Sequence, residues 1–237
     1  MTNHCVASMK PTISVIVPAL NEEANIATAV KDASDSLAGR FSDYELLLFD
    51  DGSRDRTGEI MDRLAAQNPR IRVTHNPQPR NLGGVYKQGV ALARFDHVLM
   101  FPGDNENQLA SLLPVLDAIG KADIVIPYTI NTHVRPLMRR AGSLTYTILI
   151  NLLFGRRLRY YNGTYLCRTA DVRQITINTD SFAYQCEVLL KLLRNGKSYV
   201  EVGIQIRRPS GSVSKALRIR NLIDILKAIC YLAVEMH

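Results

Sequence analysis

No Cys-x-x-Cys pair occurs in this chain, and its four cysteines, Cys5, Cys167, Cys186 and Cys230, stand far apart. That spacing argues against a zinc site or a disulfide framework and predicts reduced thiols. No run reaches the roughly 18 uncharged apolar residues that a bilayer crossing needs. The segment Met1 to Lys10 is polar and lacks the apolar core of a secretory signal. The expected location is therefore cytoplasmic, with peripheral contact at the cytoplasmic face of a membrane left open. Repeats, low-complexity tracts and linkers are missing too. The expectation is one domain over residues 1–237, with 1–10 flexible and 216–237 a closing helix that packs on the core or faces a membrane.

What is present is ordinary globular material, 46% hydrophobic and 22% charged, with a net charge of +7. The positive balance favours an anionic partner: nucleotide, lipid phosphate, membrane surface or nucleic acid. No nucleic-acid-binding module is recognisable, and few exposed-looking aromatics lie near basic residues, so nucleic acid is not expected.

The first half alternates short apolar runs with amphipathic stretches. Ile13–Val17, Glu45–Phe49, Ile71–Thr74, His97–Phe101 and Asp123–Pro127 read as buried strands. Glu22–Leu37, Thr57–Gln67, Val85–Ala93 and Gln108–Ile119 have helical spacing between them. This alternation predicts an α/β fold, a mostly parallel central sheet with helices on both faces. The second half is less regular: Ser143–Phe154 is apolar and flanked by arginines, either a packed core helix or a segment lying in a headgroup region, with Ser181–Arg194 helical, Tyr199–Ile206 a strand, and Ala216–Val234 a closing helix.

In open parallel sheets, ligands bind beyond the carboxyl ends of the strands, so the residues there matter most. After the first strand come Pro18-Ala19-Leu20-Asn21-Glu22-Glu23, where Asn21 either caps the next helix or faces a ligand. After the second come Asp50-Asp51-Gly52-Ser53, adjacent carboxylates whose repulsion calls for a hydrogen-bonding ligand or a cation. Asn81-Leu82-Gly83-Gly84 with Lys87 follow the third, and glycines at a helix start let backbone N–H groups approach a phosphate. The fourth ends in Phe101-Pro102-Gly103-Asp104-Asn105-Glu106. There Asp104 and Glu106 are spaced to offer oxygen ligands to a divalent ion, and Asp104 is also a candidate N-cap.

Taken in order, these segments resemble the family 2 inverting glycosyltransferases, which have the nucleotide-diphosphosugar transferase (GT-A) fold. The likeness continues through Phe182-Ala183-Tyr184-Gln185-Cys186-Glu187, Tyr199-Val200-Glu201-Val202-Gly203-Ile204 and Gly211-Ser212-Val213-Ser214-Lys215. These segments are similar to the polyprenyl-phosphate sugar transferase branch, the dolichyl-phosphate mannose synthase-like enzymes. The resemblance spans about residues 12 to 230. It implies a nucleotide-sugar donor site that includes Pro18, Ala19, Asn21, Glu22, Asp50, Asp51, Ser53, Asn81, Gly83 and Lys87. It also implies Mg2+ or Mn2+ at Asp104 with Glu106, and a phosphate-closing loop at Ser214 and Lys215. One departure stands out: Pro102 occupies the place of the first Asp in the family's usual Asp-x-Asp.

Asp104 and Glu187 are the candidate general bases for an alcohol acceptor, whereas a phosphate acceptor is already ionised and needs none. Glu187 also reads as a helical residue, beside apolar Val188 and Leu189, that only holds an arginine. Eight arginines and a single acidic residue, Asp171, lie between Arg135 and Arg173. Arginine suits phosphate recognition, which makes a lipid phosphate the expected acceptor and a saccharide the alternative. Arg139, Asn162, Gly163 and Arg208 complete the expected phosphate and acceptor set. A binding protein without turnover is the non-enzymatic alternative, supported by Pro102. The oligomeric state is not legible.

Overall fold

The protein is described as a computed structural model covering residues 10–104, 109–206, 229, 231, 232 and 234. The expected closing helix lies outside the described residues apart from those last four positions, as do Glu106, Arg208, Ser214 and Lys215.

Seven strands form one sheet: β1 (Thr12–Ala19), β2 (Asp43–Asp50), β3 (Ile71–His75), β4 (His97–Met100), β5 (Ile124–Thr129), β6 (Leu166–Arg168) and β7 (Tyr199–Ile204). Their order is β3-β2-β1-β4-β6-β5-β7. Only β6 runs against its neighbours; the other pairings are parallel. The expected mostly parallel α/β sheet is therefore found. After β1 the chain steps outward to β2 and β3 through α1 (Ile26–Leu37) and α2 (Thr57–Gln67). It then returns through α3 (Asn81–Leu92) to place β4 on the other side of β1. The reversal opens a crevice beyond the carboxyl ends of β1 and β4.

Alternation along the strands divides the core in two. Val15 and Val17 of β1 and Leu46 and Leu48 of β2 face Ala29, Val30 and Ala33 of α1. Ile16, Leu47, Phe49 and Met100 face the other way, toward Val85 and Val90 of α3 and Val188 and Leu192 of α7 (Tyr184–Arg194). The period of two along a strand places successive side chains on opposite faces, so continuous apolar runs fill both cores.

Two elements depart from the sequence reading. The stretch after β4 is a 3-10 turn at Leu109–Leu112 running into a short helix, α4 (Leu113–Leu116), rather than one long helix. The apolar Ser143–Phe154 run is the latter part of a longer helix, α5 (Leu137–Phe154), stopped by Gly155 in the left-handed region at φ 60°. A short helix, α6 (Thr169–Arg173), follows β6 directly.

Candidate functional site

The polar tips do converge. Beyond the ends of β2 and β4 the backbone ladder to β1 continues: Phe101 N donates to Ile16 O at 2.7 Å, Gly103 N to Pro18 O at 2.9 Å, and Asp51 N to Ala19 O at 2.9 Å. The loops after β2 and β4 are thus mounted on opposite sides of one strand end, and Asp51 and Asp104 share one edge. A side chain at Gly103 would meet Ile26 Cδ1 at 2.8 Å and Pro18 O at 3.3 Å, so only glycine brings the Asp104 loop this close.

Asn21 does not cap α1. That helix starts at Ile26 behind Asn25, without a side-chain cap. Asn21 sits at φ 56° and cross-links two loops. Its N–H donates to Ser53 Oγ at 3.0 Å, and its Oδ1 accepts from Arg54 N at 2.8 Å. Glu22 N donates to Thr57 Oγ1 at 2.8 Å, and Glu23 N to Asp55 Oδ2 at 3.2 Å. The segments after β1 and β2 therefore form one wall.

The acidic pair is satisfied without a ligand, contrary to the expectation that its repulsion demands one. Asp50 accepts from Ser53 N at 3.0 Å and pairs with His75 Nδ1 at 3.2 Å. Asp51 accepts from Asn76 Nδ2 at 2.9 Å, Arg80 N at 2.8 Å and Asn81 N at 3.1 Å. Asp51 thus takes up N–H groups at the start of α3, where a carboxylate also meets the positive end of the helix dipole. His75 was not singled out from sequence. Its ring is held between Asp50 and Asp62 (Nε2 to Oδ1, 3.0 Å), and these two hydrogen bonds raise its pKa. The missed signal was its place: His75 and Asn76 directly follow the apolar part of the third strand.

The glycines of α3 have another use than the one expected. Gly83 N donates to Asp180 O at 2.9 Å, and a Cβ there would sit 2.6 Å from Thr179 O. They let α3 pack against the 178–181 segment rather than clear space for a phosphate. Lys87 pairs with Asp180 at 2.5 Å. Arg80, Asn81, Lys87 and Asp180 line a hollow of about 400 Å³ beside Asp51.

Glu187 is corrected as a candidate base. Its side chain is 2% exposed. It accepts from Asn178 N at 2.8 Å, Asn178 Nδ2 at 3.0 Å and Thr179 N at 3.0 Å, and pairs with Lys191 at 3.0 Å. A carboxylate so enclosed fixes the segment that meets α3 and has no path to an acceptor proton.

On the other flank, Asn162 and Gly163 lie against β5. A Cβ at Gly163 would stand 2.9 Å from Pro127 O. Arg135 reaches Tyr160 Oη at 3.5 Å, and Arg139 is half-buried in the first turns of α5. Since β4 and β5 both run antiparallel to β6, the end of β5 lies at the same sheet edge as the loops after β1, β2 and β4.

Among the described residues no three His, Cys, Asp or Glu side chains are grouped to hold a metal ion by themselves. Asp104 offers one carboxylate at the edge. Such a donor set fits an ion of the Mg2+ type, bound through one or two carboxylates with substrate phosphates supplying further oxygens.

The architecture is the GT-A fold of nucleotide-sugar-dependent glycosyltransferases. It is shared with a glucosyl-3-phosphoglycerate synthase from Mycobacterium tuberculosis solved with Mg2+ and uridine diphosphate. The TM-score is 0.69 at 17% identity, covering 93% of this chain and 80% of that one. Residues 14–193 match the profile of Glycosyl transferase family 2, and the chain belongs to that family. It is 27% identical over 206 residues to an undecaprenyl-phosphate mannosyltransferase of Micrococcus luteus, covering 81% of this chain and 82% of the relative. It is 28% identical over 224 residues to a polyprenol monophosphomannose synthase of Mycolicibacterium smegmatis, covering 88% and 83%.

Proposed function

We propose that this glycosyltransferase moves a hexosyl group from a nucleoside diphosphate to a polyprenyl phosphate at the cytoplasmic face of a membrane, inverting the anomeric centre. The observation that carries the reading is the mounting of the Asp51 and Asp104 loops on the end of β1. A pocket so built spans from a nucleoside on the wall of residues 18–23 and 50–53 to a diphosphate near Asp104. The two polyprenyl-phosphate relatives support the acceptor class.

In this reading Pro18, Ala19, Asn21, Glu22, Asp50 and Ser53 form the nucleoside wall, while Asp51 and Asn81 set the start of α3 beside it. Asp104 would hold a divalent ion, Mg2+ or Mn2+, whose positive charge would stabilise the departing diphosphate. Glu106, Ser214 and Lys215 keep the roles that the family resemblance implies, as does Arg208 on the acceptor side. An oxygen of the acceptor phosphate forms its bond to the anomeric carbon as the bond to the diphosphate oxygen breaks. Attack from the opposite face inverts the centre. An ionised phosphate needs no general base, which agrees with the enclosure of Glu187. Arg135, Arg139, Asn162 and Gly163 stand on the acceptor flank, where guanidinium groups suit a phosphate.

The test is a thermal-shift screen with UDP-, GDP- and dTDP-sugars, with and without Mg2+ or Mn2+. Transfer to polyprenyl phosphate is then compared with transfer to a saccharide and with hydrolysis. One donor is expected to stabilise the protein, and polyprenyl phosphate to be the productive acceptor. Asp104→Ala is expected to lower transfer by about 100-fold or more, the scale of a lost transition-state charge contact. No shift with any donor, or full turnover by Asp104→Ala, contradicts the reading. Productive transfer to the saccharide alone assigns the other acceptor class.

A further inference from the structure

The outward face of α5 is apolar where a water-facing helix would carry charge. Thr147 and Ile150 point inward, and Ile150 joins the core. On the opposite side stand Leu137 (76% exposed), Leu144 (61%), Ile148 (49%) and Leu152 (78%), with Met138 (82%) beside them. Positions 137, 144, 148 and 152, with Ala141 in the same row, recur at helical spacing and so form one stripe. The only charged residues within the helix are Arg139 and Arg140.

Charge surrounds this stripe in a single sign. Arg135 precedes the helix, and Arg156, Arg157 and Arg159 follow the Gly155 stop. No Asp or Glu occurs between Asp123 and Asp171. Among the described residues Arg140, Arg156 and Arg157 make no ion pair. No described helix is long and apolar enough to cross a membrane, so α5 can meet a bilayer only by lying along it. An exposed leucine stripe framed by arginines is complementary to an anionic lipid surface, apolar below and phosphate-bearing above. The helix also begins shortly after β5, whose carboxyl end lies at the edge that carries the site.

We propose that the outer face of α5 docks in the plane of an anionic membrane, its leucines in the headgroup region and its flanking arginines on lipid phosphates. The proposal rests on the lipid-acceptor reading for its partner and names the element that brings the site to that surface. Docking there presents the acceptor flank, with Arg139 and Asn162, toward the layer in which a polyprenyl phosphate carries its phosphate.

The experiment is co-flotation of the full chain with phosphatidylcholine vesicles with or without phosphatidylglycerol, none containing polyprenyl phosphate. Wild type is expected to bind the phosphatidylglycerol vesicles, to bind pure phosphatidylcholine less, and to be released by salt. The exposed-site double variant Leu144→Ser/Leu152→Ser is expected to lose binding about tenfold or more. Arg156→Gln/Arg157→Gln is expected to lose the preference for anionic vesicles. Each variant should keep the donor-induced thermal shift of wild type, which shows that the fold and donor pocket are intact. Failure of wild type to bind, or equal binding by the leucine variant, overturns the proposal. So does a wild-type dimer that the leucine variant dissolves without any vesicle binding, which assigns the stripe to a second copy. Vesicle binding without a donor shift leaves docking standing and removes the transferase reading; a donor shift without vesicle binding does the reverse.

Discussion

His75 shows how much a single side chain adds at this edge. Its ring links Asp50 of β2 to Asp62 of α2, and both hydrogen bonds favour the charged imidazolium. A histidine whose pKa is raised by folding adds stability that is fully present below about pH 6.5 and lost as pH rises through the raised value. The stability difference between wild type and His75→Gln, measured by urea unfolding, is therefore expected to be largest in mild acid and to shrink toward alkaline pH. A difference that does not change with pH contradicts this account. The same residue marks a limit of the sequence reading. Asp50, Asp51 and Asp104 were legible because acidic residues at strand ends are conspicuous. His75 and Asn76 were not, because the carboxylates they meet at this edge, Asp50 and Asp51, each lie 25 positions away in sequence.

At the scale of elements, α7 and the segment before it form a clamp on α3. Glu187 holds Asn178 and Thr179 from inside α7, Asp180 O accepts from Gly83 N, and Asp180 pairs with Lys87. Removing a buried carboxylate from such a network leaves three amide hydrogens of Asn178 and Thr179 without that acceptor and takes the counter-charge from Lys191, which keeps its bond to Thr176 O at 2.8 Å. Glu187→Ala is expected to cost about 3–5 kcal/mol in denaturant unfolding. A cost within about 0.5 kcal/mol, the usual effect of a surface change, contradicts the clamp. Which elements were legible follows from their length and period. Thr57–Gln67 was read to the residue, because its period is clear and Asn68 ends it. The strand β6 was missed because three residues carry no period. The start of α5 was missed because Arg139 and Arg140 interrupt the apolar pattern.

Across the whole molecule, the two ends of the sheet differ in kind. At the amino end Glu45 is fully buried and accepts from Ser14 Oγ at 2.8 Å, Arg94 N at 2.7 Å, Arg94 Nε at 2.9 Å and Arg72 Nη1 at 3.1 Å. Burial alone would raise its pKa; the hydrogen bonds from Arg94 N, Ser14, Arg72 and Arg94 outweigh that and hold it below the usual carboxylate range. A carboxyl lowered in this way adds stability above its unfolded pKa of about 4.3, lost as pH falls through the folded value. Glu45→Gln is expected to lower stability at neutral pH and to flatten the acid limb of a stability profile, leaving donor binding unchanged. An unaltered acid limb contradicts the assignment. The overall arrangement was legible because alternating runs and helical stretches admit few topologies; the reversed β6 was not, since pairing direction is decided by long-range packing.

The amides of Asp51, Phe101 and Gly103 all hang on one strand end, and this has a consequence for selectivity. Both jaws of the crevice are fixed to a common rigid post, so their spacing is set once, when β1 pairs with β2 and β4. In the proposed donor pocket, a compound of the wrong reach would meet a gauge that side-chain motion does not readjust.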